Sequence, residues 1–96
     1  MRELKLVSPG KRALKPLVEA ALQNEIRLLE AGIRRSQQRL QHFEAQHGLS
    51  TAEFIRRYEN NKLKESLEFA EWIGEYRMLE RLQEKADTLR EISFAN

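Results

Sequence analysis

The sequence predicts an all-α fold: a long antiparallel helical hairpin with a short connecting helix, built to dimerise into a four-helix bundle. Three observations predict it. Apolar residues recur in steps of three and four along two long stretches. No stretch alternates polar and apolar residues with the period of two that a strand shows, so no strand is expected. Helix breakers are scarce, with four Gly and two Pro in 96 residues and both Pro before residue 17.

The first element is expected over residues 16–47. Pro16 suits a first helical turn, where its missing N–H costs nothing. Leu22, Ile26, Leu29, Ile33, Ser36, Leu40, Phe43 and His47 then alternate steps of four and three. This is a heptad-like, coiled-coil seam with two weak members, Ser36 and His47. Gly48 supplies a residue able to take positive φ at the helix end. Such a helix would be roughly 48 Å long at 1.5 Å per residue. Gly32 in its middle costs about 1 kcal/mol relative to Ala, and leaves open whether the helix is continuous there.

A capping box, Ser50-Thr51-Ala52-Glu53, starts the second element. Leu49 before the cap and Phe54 after it have the spacing of a hydrophobic staple. A helix over 51–59 follows, and Asn60-Asn61 favours a left-handed stop. Two to three turns are unstable alone, so this helix must dock on the longer ones. The third element begins near residues 64–66 and runs to about 92. Phe69, Trp72, Ile73, Tyr76, Leu79, Leu82, Ala86 and Leu89 are its apolar stripe. Phe43, Phe54, Tyr58, Phe69, Trp72 and Tyr76 gather near the bend and are expected to close that end.

A chain of this length is expected to be one small domain with a modest core. One third of the residues are charged and the mean hydropathy is −0.68, which suits elongated helices or an oligomer. There is no Cys, which excludes a disulfide framework and a thiolate metal site. No apolar run approaches a membrane span, and the start lacks the apolar core of a secretory signal. The expectation is a cytoplasmic protein without a membrane partner.

Charge is unevenly placed. Residues 1–15 carry Arg2, Lys5, Lys11, Arg12 and Lys15 against Glu3, a net +4 that leaves −2 for the rest. They read as a basic, flexible N-terminal arm ahead of a helical hairpin domain over 16–96. The arm is either a solvated tail or a contact for nucleic acid or an acidic partner.

Catalytic signals are thin, and the sequence reads as no enzyme. The four glycines are scattered, with no phosphate-cradling loop. Glu44-x-x-His47 has a di-iron spacing, yet it lacks the second pair and the further carboxylates such sites use. His47 reads better as a helix-end cation, and His42 as exposed. No catalytic, cofactor or metal site is assigned.

Two charge clusters remain. Glu65, Glu68, Glu71 and Glu75 recur at the start of the third helix, either as a solvated face or as an acidic strip for a basic partner. Arg34, Arg35 and Arg39 lie on the first helix, Arg56 and Arg57 on the short one. The flanking helices are too long for a helix-turn-helix, so these arginines read as salt bridges across the hairpin or a rim around a partner site. Glu68, Glu71, Glu75, Arg56 and Arg57 are the candidate partner-binding residues.

The stretches "EIRLLEAGIRRSQQRLQHFEAQHGLSTAEFIRRYENNKL" and "LEFAEWIGEYRMLERLQEKADTLREI" resemble a group of small helical prokaryotic proteins, common in cyanobacteria and archaea. The matching residues are Phe43, Glu44, Gly48, Leu49, Ser50, Glu53, Phe54, Arg57 and Tyr58, then Phe69, Glu71, Trp72, Glu75 and Tyr76. The likeness covers residues 24–92 and brings no established activity. Genes of that group neighbour small toxin-like genes, so the resemblance implies an antitoxin-like partner protein. The expectation is a non-enzymatic, homodimeric protein-binding protein, with a small toxin as its partner. A nucleic-acid-binding module working through the arm is the alternative, and a structural homo-oligomeric bundle the second.

Overall fold

A computed structural model describes residues 2–5 and 14–95. Two long helices run antiparallel. They are α1 (Leu14–His47) and α3 (Leu67–Arg90), joined at the bend by α2 (Thr51–Glu59). The molecule measures 61 × 22 × 18 Å, with a radius of gyration of 19.1 Å. A compact domain of this length would have roughly 13 Å, so the shape is a rod. No described helix is long and apolar enough to cross a membrane.

The helix ends follow from local chemistry. Gly48 takes φ 59°, and the Leu49 N–H returns to the Glu44 carbonyl at 3.3 Å, closing α1 with a Schellman-type bond. Ser50 Oγ accepts the Glu53 N–H at 3.1 Å, as the capping box predicts. The Glu53 carboxylate is turned to Arg56 and Arg57. The Thr51 N–H is taken instead by Glu44 Oε2 at 2.7 Å, so the end of α1 caps the start of α2. Asn61 is left-handed at φ 54°, with Asn61 N–H to Tyr58 O and Lys62 N–H to Arg57 O completing a Schellman motif. Ser66 caps α3 through the Phe69 N–H at 3.0 Å.

The core sits at the bend. Leu40, Phe54, Trp72 and Ile73 are buried together, with Phe43, Leu49, Tyr58, Phe69 and Tyr76 packed on them. Phe54 and Trp72 stack at 3.8 Å and 5°, and Phe43 lies near-parallel to the same indole at 5.5 Å. Trp72 Nε1–H donates to Thr51 Oγ1 at 3.1 Å in a fully buried bond that ties α2 to α3. Toward the open end the seam thins to Ile26, Leu29 and Ala86. The helix is continuous through Gly32, where an added Cβ would stand 3.4 Å from Leu82 Cδ1.

One expectation is corrected. Among the described residues are two strands, β1 (Arg2–Lys5) and β2 (Ile92–Ala95), paired in parallel with Arg2 opposite Ile92. Four residues are too short for a period of two to stand out, and the pairing joins segments far apart in sequence. The expected arm is therefore not one piece. Arg2 and Lys5 fall on β1, Lys15 falls inside α1, and Lys11 and Arg12 lie outside the described residues.

Candidate functional site

The hairpin has two sides. One carries α2, with a groove along Gln37, Gln41, Glu44, Ala52 and Tyr76. The other is open. There a groove of about 590 Å³ runs between Arg35, Arg39, His42 and Phe43 of α1 and Glu71 and Glu75 of α3. It continues past Gln46 and Leu67 toward the bend. Phe43 is its half-buried floor.

The Glu strip divides into three roles. Glu75 turns into the helix interface and is 10% exposed. It accepts Ser36 Oγ–H at 2.7 Å and Arg39 Nη1–H at 3.1 Å. A carboxylate this enclosed is tolerable because both oxygens are hydrogen-bonded and one faces a cation. Glu68 lies 3.0 Å from His47 Nε2, and the His47 ring stacks on Trp72 at 5.4 Å. Glu71 stays exposed on the groove wall, and Glu65 is exposed ahead of α3. The two weak seam members thus have partners on α3: Ser36 takes Glu75, and His47 takes Glu68.

Arg56 and Arg57 do not reach across the hairpin. Both grip Glu53, three and four residues back on α2 itself, and hold its carboxyl down at about 2. Arg39–Glu75 is the cross-hairpin pair among the expected arginines, joined toward the open end by Glu25–Lys85 at 3.6 Å and Glu30–Arg90 at 3.4 Å. Burial, with Glu80 adding to it, raises the Tyr76 phenol above its ordinary value.

The apolar surface was not legible as a site. Among the described residues, Leu17, Leu28, Leu67 and Met78 are the exposed large apolar side chains, from 45% to 78%. All four belong to the open side. Leu67 lines the groove directly, and Met78 follows it by eleven residues, three full turns. On α1, Leu28 precedes the groove residue Arg35 by seven, and Leu17 precedes Leu28 by eleven. Leu17, Ala21, Asn24, Leu28, Ala31 and Arg35 step by four and three, a second seam beside the first that could have found this face.

The face therefore offers apolar knobs, an aromatic floor and unlike charges on opposite walls. Among the described residues, no three His, Cys, Asp or Glu side chains are grouped to hold a metal ion. Glu44 and His47, the pair with metal-like spacing, bond to Thr51 and Glu68 respectively. Comparison with family descriptions, curated proteins and solved structures finds no match to this chain.

Proposed function

We propose that this chain is a non-enzymatic protein-binding hairpin whose open side receives another polypeptide, in the manner of an antitoxin masking a small toxin. One observation carries the reading: the exposed Leu17, Leu28, Leu67 and Met78 all lie on the side that α2 leaves bare. Exposed apolar residues confined to one face, interleaved with charge, mark an interaction surface more than a solvated one. Glu71 and Arg35 on opposite walls would set orientation and on-rate. The toxin-like character of the partner rests on the resemblance described above.

Co-expression with the product of the adjacent gene, followed by light scattering, tests it. A hetero-complex that Leu67→Asp or Glu71→Lys dissolves supports the reading. A neighbour that binds both variants unchanged, or never binds the parent chain, removes it.

A further inference from the structure

The open flank of α3 has a symmetry of its own. Starting at Leu67 it runs through Glu71, Gly74, Met78, Leu82, Lys85 and Leu89, in steps of four, three, four, four, three and four. The steps are the same in both directions about Met78, and the paired positions are complementary, with small Gly74 answered by large Leu82. Leu answers Leu at the ends, and Glu71 answers Lys85. Met78 is 45% exposed and Leu67 78%. A Cβ on Gly74 would meet nothing within 4 Å, so another helix can approach closely there. Lys85 reaches Glu25 only at 3.6 Å and its side chain stays 60% exposed.

We infer that the open face is a self-complementary seam, and that its occupant is a second copy of this chain, packed antiparallel about a two-fold axis at Met78. The inference rests on reading the open side as an interface, and puts a second copy, in place of a toxin-like polypeptide, on that face. In this arrangement Met78 packs on Met78 of the second copy, Glu71 meets Lys85, Leu67 meets Leu89, and bare Gly74 stands level with Leu82, whose tip rests on Gly32 of its own copy.

The first helix fits the same axis. Gly32 lies against Leu82 and Ser36 against Glu75, so Met78 is level with α1 between residues 32 and 36. Leu28 and the stretch Arg39–His42 stand at similar distances on either side of that level. Reversal about the axis carries the exposed Leu28 of one copy onto the Phe43-floored groove of the other. Arg35 comes nearest its own copy, and its stem is long enough to carry the guanidinium to the edge. The 61 × 22 × 18 Å outline of the molecule bounds one long face at about 1,100–1,300 Å², room for the roughly 800 Å² per partner of a stable complex. The product is a four-helix bundle with two bends at opposite ends.

The experiment combines sedimentation with cysteine cross-linking in the full chain, which has no native Cys. Met78→Cys should give a disulfide-linked dimer on mild oxidation, whereas Glu84→Cys, two residues short of buried Ala86 and off the seam, should not. Glu71→Lys and Lys85→Glu should each weaken the dimer by at least about tenfold, and the double swap should restore most of the loss. Circular dichroism of each variant separates a lost interface from a lost fold. A chain that sediments as a monomer at its highest soluble concentration overturns the inference. So does a dimer that links through His42→Cys with Glu71→Cys but not through Met78→Cys, which would mean parallel packing. A monomer that still captures the adjacent gene product through Leu67 leaves the protein-binding reading standing, and open-face variants silent in both assays remove both.

Discussion

Ser36 Oγ donates to Glu75 Oε2 at 2.7 Å across the hairpin, and Arg39 holds the other oxygen of the same carboxylate. Ser36 is 3% exposed and occupies a seam position where a heptad would place an aliphatic residue. The bond fixes the register of α1 on α3, because a slip of one turn would leave a buried hydroxyl and an enclosed carboxylate unpaired. Glu75→Ala should therefore destabilise the hairpin by roughly 1–3 kcal/mol, the cost of an orphaned buried polar group. Urea unfolding followed by circular dichroism measures it. A double-mutant cycle with Ser36→Ala should show coupling, and additive losses would mean that the two groups do not act together.

Trp72 and Thr51 join the elbow to the hairpin. The indole is fully buried, and its N–H has the Thr51 hydroxyl as acceptor. Thr51→Val keeps the volume and removes the acceptor, so the expected cost is again roughly 1–3 kcal/mol. Trp72 is the single tryptophan of the chain, so its fluorescence reports the site directly. The unfolding midpoint should fall while the emission of the folded state stays that of a buried indole. Trp72→Ala, which empties the stack against Phe43 and Phe54, should cost more, about 3–5 kcal/mol.

Two glycines, Gly32 within α1 and Gly48 just past its end, should respond with opposite signs. Gly32 has helical geometry, and a methyl there meets Leu82 at ordinary contact distance, so Gly32→Ala should stabilise by up to about 1 kcal/mol. Gly48 sits at positive φ with open space around it, so Gly48→Ala gains no clash but strains the backbone and should destabilise by about 1 kcal/mol. Thermal melts of both variants settle the comparison. Equal shifts would show that propensity, and not the left-handed cap, governs position 48.

Much of the hairpin was legible because its signals are local. Ser50, Gly48 and Asn61 act through bonds within a few residues, and the stripes on α1 and α3 depend only on helical periodicity. The short helix appears at the expected residues 51–59 for the same reason. What stayed hidden is pairwise and distant. Four-residue strands from opposite ends of the chain have no window in which to show themselves. Glu75 looks like Glu71 in sequence, and only the hairpin register turns one inward and leaves the other on the groove wall. Arg56 and Arg57 had a nearer acid in Glu53 than any across the bend, since residues three and four apart on a helix are neighbours. The open face needed the position of α2, which decides which flank of the long helices stays bare.

The Glu53 clasp predicts a pH response. Hydrogen bonds from Arg56, then Arg57, hold the carboxyl at about 2, well below its ordinary 4.5. A folded-state value depressed in this way contributes stability that is complete above the ordinary value. That contribution is lost as pH falls from about 4.5 toward 2. Glu53 is one-third exposed, so the effect on global stability is small and the local readout is the useful one. A carboxyl-carbon NMR titration should show Glu53 still ionised well below pH 4.5. Arg56→Gln should move its midpoint up toward 4.5, and adding Arg57→Gln should move it further. A wild-type midpoint near 4.5 would show that the two arginines do not hold this carboxylate in solution.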